Sequence, residues 1–243
     1  MYRKFFRFIY VSFILVFIPS LANAELSTKD AWDNLKKLLE TSGYQVIGQE
    51  NSVGSDLSIK NVQISFEVDA QTNINFDIGS LNLTKNKDGF INITLPEEIY
   101  VQYINEDEFG YKTEANILVR ALDLDFKVSG KLSQVLYQLK ASSAGFALIE
   151  LLDNGVASPD LSAEMEVVLA DVNSTIRVAG VSTMEVTSLL SASGASIKGG
   201  LSVLSVPLKL NFQYVMGQLK SSTVSNEPKV SLDEDFALAL AKG

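Results

Sequence analysis

The chain has 243 residues, of which 47% are hydrophobic and 20% are charged, and it contains neither Cys nor His. These absences exclude disulfides, thiol nucleophiles, Ser-His-Asp triads and zinc or haem sites with Cys or His ligands. The formal charge of −9 disfavours nucleic acid and anionic membrane surfaces as main partners. We therefore expect no cofactor and no nucleic-acid partner.

Residues 1–24 have the pattern of a secretory signal peptide. Three basic residues precede an apolar stretch over 8–18, and Ala22-Asn23-Ala24 forms a small-x-small cleavage site. The apolar stretch is shorter than the roughly twenty residues that a membrane-spanning helix needs. We predict cleavage after Ala24, which leaves Glu25 as the first residue of the exported chain.

The exported chain is strongly acidic. It carries 17 Lys and Arg residues against 29 Asp and Glu residues, a net charge of −12, because the leader removes three positive charges. After the leader, no apolar run is long enough to span a membrane. An exported chain without Cys fits the bacterial periplasm better than a eukaryotic secretory pathway, where disulfides are more common. We therefore predict a periplasmic location.

One amphipathic helix is predicted over 28–42. Ser27 is a good N-cap, and Asp30 completes a variant of the capping box. Gly43 is a plausible end of the helix. Its apolar residues recur at helical spacing and include Trp32, Leu35 and Leu39. The spacing favours a helix that covers one end or edge of a sheet, and the alternative is a partner-docking helix that uses these three residues.

From residue 44 to about 220 the apolar residues alternate with polar ones, which is typical of antiparallel strands with one dry face. The candidate residues of this apolar face share the same alternation and are Val62, Ile64, Phe66, Ile74, Phe76, Leu208, Leu210 and Phe212. We predict a mainly β fold with one N-terminal amphipathic helix. Its long curved antiparallel sheet forms an open or partly closed barrel or a sandwich. No Pro-, Gly- and Ser-rich linker divides residues 25–243, so a single domain is expected.

Local signals predict where the strands turn and bend. Residues 86–89 have the composition of a hairpin turn, and changes of phase at Lys60-Asn61 and at Gly79-Ser80 predict bulges. The alternation over 122–128 indicates one strand. Residues 132–152 are interpreted as a hairpin that turns at 142–145, and residues 221–243 are expected to form an irregular tail.

No catalytic constellation stands out. The chain has neither a Ser-x-x-Lys nor a Gly-x-Ser-x-Gly pattern. Its acidic pairs lie mostly in predicted turns or the tail, and Asp123 and Asp125 fall on the wet face of a predicted strand, where polar residues are expected anyway. The loop around Asn86 and Asp88 lacks the first and last acids of a calcium loop. We therefore expect neither an enzyme nor a metal site.

Four stretches carry a family resemblance: Asp30–Leu35, Gly43–Val46, Asp56–Val62 and Gly79–Gly89. Together they resemble an uncharacterised family of exported alphaproteobacterial proteins, domain-of-unknown-function family 2125. The resemblance implies strands and turns and brings no activity or functional residue with it. Residues 57–64 are also similar to strands in the curled sheets of envelope lipid-transfer proteins.

Two functions agree with these observations. The first is a non-enzymatic periplasmic protein that binds an apolar or amphiphilic, lipid-like ligand on its sheet, in maintenance of the cell envelope. The second is an envelope scaffold or protein-interaction module with a filled core, which binds a protein partner through its helix or a sheet edge. A bound lipid would separate the two.

Overall fold

The computed structural model describes residues 25–157, 161–180, 185–203 and 208–226. The predicted signal peptide therefore lies outside the described residues. The fold is mainly β, with one N-terminal helix and one large antiparallel sheet, and the mainly β prediction is confirmed. In the described part of the chain, no helix is long and apolar enough to span a membrane.

The elements, numbered in chain order, are α1 Thr28–Thr41, β1 Gln45–Val53, β2 Asp56–Glu67, β3 Thr72–Lys85, β4 Ile91–Thr94, β5 Glu98–Glu106, β6 Lys112–Leu122, β7 Asp125–Lys131, β8 Gln134–Asp153, β9 Val156–Ala157, β10 Leu161–Ala179, β11 Glu185–Ala192, β12 Gly194–Val203, β13 Leu208–Met216 and β14 Leu219–Asn226.

The sheet is an up-and-down meander in which some long strands are broken into two shorter ones. β3 pairs with both β4 and β5, and β8 pairs with both β7 and β6. β10 likewise pairs with both β11 and β12. On the far side, β11 pairs with β14 and β12 pairs with β13. If each broken pair is counted as one long strand, the order across the sheet is β1, β2, β3, β4–β5, β6–β7, β8, β10, β11–β12 and β13–β14. Each of these long strands is antiparallel to its neighbours.

The breaks lie at one level of the sheet, which we call the bulge line. Backbone φ is positive there at Asn61 (53°), Gly79 (73°), Asp123 (52°) and Asp171 (48°). Such residues need Gly or a short polar side chain, and bulges bend the strand that contains them. The bulges predicted at Lys60-Asn61 and Gly79-Ser80 are confirmed by the β2–β3 register shifts.

Two equivalent Ser–Asp contacts hold the bulge line. Ser142 Oγ donates to Asp123 Oδ2, and Ser193 Oγ donates to Asp171 Oδ2, each at 2.7 Å. The Asp123 break also corrects the prediction of a single strand over 122–128, because the left-handed residue ends β6 before β7 begins. The bulge line thus divides the sheet into two halves. The helix half includes β4, β7, β11 and β14, and the open half includes β5, β6, β12 and β13.

The helix half contains the larger buried core. α1 begins with the predicted capping box, in which Ser27 and Asp30 each accept the other's backbone N–H, and Gly43 follows its C-cap with φ 88°. Trp32 is only 2% exposed, and its Nε1 donates to Glu50 Oε1 at 2.9 Å. The buried residues that surround the helix come from several strands and include Leu57, Ile59, Leu81, Leu83, Ile91, Val128, Val135 and Tyr137.

Two ionisable contacts tie α1 to the sheet. The Tyr137 hydroxyl donates to Asn34 Oδ1 at 2.7 Å, and burial raises the pKa of Tyr137, so the hydroxyl keeps its proton. Lys29 Nζ lies 2.7 Å from Glu50 Oε2. The hydrogen bond from Lys29 holds the pKa of Glu50 below its ordinary value, while hydrogen bonds to Asp33 and Glu50 raise the pKa of Lys29.

Two further sequence predictions are wrong. Residues 132–152 do not form a hairpin, because β8 runs without a turn and is paired through 143–145 with β6 on one side and β10 on the other. The small residues there permit close approach: a Cβ on Gly145 would collide with the carbonyl oxygen of Val167. The irregular tail also begins later than predicted, since β14 continues to Asn226 by pairing with β11.

Candidate apolar binding face

The open half carries one apolar face that crosses the whole sheet. Residues that pair directly across antiparallel strands lie on the same face, so the register defines it. One row of directly paired residues runs Val46, Ile64, Phe76, Val101, Ile117, Leu148, Met165, Gly199 and Phe212. The row contains no charged residue and no polar side chain.

Neighbouring rows have the same character. A second row runs Ile99, Val119, Phe146, Val167, Ile197 and Tyr214, and a third runs Ala121, Ala144, Leu169, Ala195 and Met216. We call these three rows together the apolar face. At about 4.8 Å per strand, its longest row is roughly 40 Å wide.

Exposure on the apolar face increases towards the β13 edge. Val101 is 7% exposed, whereas Met165 is 40% and Tyr214 is 62% exposed. At the β1–β3 end, the ring of Tyr44 lies beside Phe76 of the apolar face, with centroids 6.5 Å apart, and packs over the neighbouring Phe66 at 4.9 Å. Part of the face is therefore covered locally, and its β8–β13 part is open to solvent among the described residues.

Glycine shapes the open end of this face. The ring of Phe212 lies over Gly199, where an added Cβ would collide with the ring atoms. Phe212 also packs against Tyr214, with ring centroids 5.8 Å apart. A side chain at Gly199 would therefore push Phe212 away from the sheet and disturb the most exposed aromatic pair of the face.

Of the eight predicted face residues, three lie in the apolar face: Ile64, Phe76 and Phe212. Val62 is fully buried and belongs to the core under the helix. Ile64, Phe66, Ile74 and Phe76 are half-buried in the open half. Leu210 and Phe212 are 53% and 45% exposed at the far edge, and Leu208 opens β13 opposite Val203.

The partner-docking interpretation of α1 is corrected. Trp32 is buried, and Leu35 and Leu39 pack against the core of the helix half, so the stripe is already covered by the sheet of the same chain. This arrangement agrees with the favoured interpretation, a helix that covers one end of a sheet. The stripe is not available to a partner in this structure.

Sequence reasoning missed the central part of the apolar face. Phe146, Val167 and Ile197 were not singled out, because the Ser-, Ala- and Gly-rich composition of β8 and β12 weakens the alternation there. One local signal was present: Met165 and Val167 alternate with Glu164 and Glu166. Which of these residues share a face depends on the pairing of distant strands, which the alternation within one strand does not give.

The remaining acidic side chains are dispersed. In the described part of the chain, no group of three or more Asp and Glu residues is arranged to hold a metal ion. Asp123 and Asp125, the acidic pair considered above, are separated by the strand break: Asp123 accepts from Ser142, and Asp125 pairs with Lys127 at 2.7 Å.

Comparisons of the chain with protein-family models, with curated proteins and with solved structures return no significant match. The resemblance to the exported alphaproteobacterial family 2125 therefore stays a prediction.

Proposed function

We propose that the chain is an exported, non-enzymatic protein of the bacterial periplasm that holds an apolar or amphiphilic, lipid-like ligand on the apolar face, in maintenance of the cell envelope. The observation that carries this proposal is the unbroken apolar row from Val46 to Phe212, whose last third is 40–45% exposed at Met165 and Phe212. A soluble protein rarely exposes an apolar patch larger than a few hundred Å² without a binding role.

The size of the face suits an acyl chain. The face is roughly 40 Å wide across the strands, and its outer rows, four residues apart along each strand, are separated by roughly 13 Å. Each methylene removed from water on such a surface contributes about 0.8 kcal/mol. A lipid tail laid along several rows would therefore offset the cost of ordering it. The absence of charge on the face favours the tail of the ligand rather than its head group as the part in contact.

The alternative, an envelope scaffold that binds a protein partner, is favoured by a different observation. β13 is an edge strand in the described sheet, and its Leu210 and Tyr214 are more than half exposed. Exposed apolar edges are sites where another chain adds a strand. This alternative assumes a filled core. The helix half has such a core, whereas the open half has an uncovered face among the described residues.

A pair of adjacent substitutions tests the lipid proposal. Val167 lies on the apolar face, and Val168 lies on the opposite face of the same strand. Both are half-buried, so Val167→Glu and Val168→Glu introduce the same charge at similar exposure. The chain is purified from a bacterial periplasm, and binding of a fluorescent fatty acid and of phosphatidylethanolamine from vesicles is measured.

We expect Val167→Glu to weaken binding at least tenfold and Val168→Glu to leave it within about twofold. Circular dichroism checks that each variant folds, and Met165→Glu, at a more exposed position of the same face, replaces Val167→Glu if the latter misfolds. Equal effects of face and control substitutions, or no binding by the wild type, would overturn the lipid proposal. Retention of a co-purifying protein that only the face substitutions release would support the scaffold.

A further inference from the structure

The opposite face of the open half has a different chemistry between β1 and β6. One row of directly paired residues there runs Gln45, Ser65, Asn75, Gln102 and Asn116. These side chains are all polar and uncharged. The next row places Gln63, Asp77 and Tyr100 opposite one another. We call these eight residues the amide groove. They line a surface concavity of about 500 Å³ together with Ile47, which pairs with Gln63, and with Ile64, Phe76, Val101 and Ile117 of the apolar row.

Charge is sparser in the amide groove than in the β10–β12 part of the same face, although the first row of the groove continues to Glu150 on β8. Beyond β8 this face carries Glu164, Glu166 and Lys198, with Lys198 Nζ 3.7 Å from Glu166. A face that only needs to be solvated carries such charges readily. Among the eight residues of the groove, Asp77 alone is ionisable apart from the phenol of Tyr100. A row of amides and hydroxyls instead offers hydrogen-bond donors and acceptors side by side.

Two of the amides are held in place by carboxylates at the β6–β8 end of the groove, where Glu150 pairs directly with Asn116. Gln102 Nε2 donates to Glu114 Oε2 at 3.0 Å, and Asn116 Nδ2 donates to Glu150 Oε2 at 3.1 Å. Glu114 is only 8% exposed and is also paired with Lys112 at 3.3 Å. These contacts orient Gln102 and Asn116 before any ligand arrives, and each amide keeps its oxygen as an acceptor. Preorganisation of this kind lowers the entropic cost of binding.

An aromatic side chain lies in the second row. Tyr100 is 57% exposed and pairs directly with Asp77. A tyrosine ring offers an apolar surface next to a hydroxyl. An aromatic ring beside a row of amides presents the two kinds of contact that a sugar ring uses, namely its C–H face and its hydroxyl groups.

We propose that the amide groove binds an uncharged oligosaccharide that lies across the strands. Neighbouring strands are about 4.8 Å apart, which is close to the length of one pyranose unit, so successive amides can contact successive sugars. The net charge of −12 on the exported chain disfavours anionic glycans. The groove residues alternate along their strands with those of the apolar face, so their side chains lie on the opposite side of the sheet and different variants test the two proposals.

Two exposed tyrosines provide a matched pair for the test. Tyr100 is in the groove, and Tyr214, at 62% exposure, is on the apolar face. Titration calorimetry of the folded chain with N-acetylchitohexaose and with cellohexaose measures the affinity of the wild type, Tyr100→Ala and Tyr214→Ala. Asn75→Ala supplies a second groove variant and Gln213→Ala its control.

We expect binding of at least one of the two hexasaccharides, weakened tenfold or more by Tyr100→Ala and by Asn75→Ala. The Tyr214→Ala and Gln213→Ala controls should change the affinity less than twofold. Absence of binding to both probes at millimolar concentration, or equal loss in groove and control variants, would overturn the inference. Either result leaves the lipid proposal to its own test, because Val167→Glu does not touch the groove.

Discussion

Replacement of Trp32 by Ala distinguishes two interpretations of α1, a helix packed in the core and a helix exposed for docking, by its effect on the free energy of unfolding. Trp32 is 2% exposed in the core between α1 and the sheet, and its indole N–H donates a hydrogen bond to Glu50. Removal of a buried aromatic side chain costs about 3–5 kcal/mol, since the transfer free energy is lost and a cavity remains. A docking tryptophan exposed to solvent would cost less than about 0.5 kcal/mol.

The predicted loss is a large part of the total stability, which is about 5–15 kcal/mol for a domain. The free energy of unfolding of residues 25–243 is measured by urea denaturation with far-ultraviolet circular dichroism. Fluorescence does not serve, because Trp32 is the only tryptophan and the variant has no indole. Phe212→Ala, at 45% exposure, is the control and should cost less than about 1.5 kcal/mol.

A loss below about 1 kcal/mol for Trp32→Ala would refute the reasoning, because the cavity and transfer costs would then be missing. A blue-shifted indole emission of the folded wild type is expected from the same burial. Emission typical of an indole in water would contradict the placement of α1 against the sheet.

Three more predictions concern the stability of the fold. Ser27→Ala should lower the free energy of unfolding by about 1 kcal/mol, measured by urea denaturation, because the first turn of α1 loses its cap. Gly145→Val should prevent folding or destabilise the chain more than Gly217→Val does, since an added Cβ collides with the β10 backbone at Gly145 and meets open space at Gly217; recovery from the periplasm checks this. The Lys29–Glu50 pair should lose its contribution as the pH falls through the lowered pKa of Glu50 and keep it above the ordinary carboxyl value of 4.5.

The pH prediction has a direct comparison. Below the folded pKa, the wild type and Glu50→Gln should have similar stability, whereas above pH 4.5 the wild type should be the more stable of the two. A constant difference across this range would contradict the assignment of the pKa shift to the Lys29 hydrogen bond. For Ser27→Ala, an unchanged unfolding midpoint would show that the capping box does not hold the first turn in solution.

Local features of the fold were accessible from the sequence, because each depends on residues close together in the chain. The capping box at Ser27 and Asp30 needs three residues of spacing, and the hairpin turn at 86–89 needs four. The bulge at Gly79 was visible as a change of phase within one strand. These features follow from backbone sterics and short-range hydrogen bonds, which one strand or helix contains by itself.

Features that depend on pairing between distant strands were not accessible. Residues 142–145 have turn composition, yet they lie in a continuous strand because β6 and β10 flank them. The amide groove depends on the register that places Asn75 opposite Gln102, 27 positions later in the chain. A single sequence shows the alternation within each strand, whereas the identity of neighbouring strands is a property of the whole sheet.

The most direct test of the central claim is native mass spectrometry of the chain purified from a bacterial periplasm under mild conditions. The account predicts a heterogeneous excess of mass that solvent extraction resolves into molecules with acyl chains, and that Val167→Glu removes while Val168→Glu keeps it. A clean mass of the chain alone, unchanged after incubation with envelope lipids, would contradict the claim that the apolar face holds a lipid-like ligand.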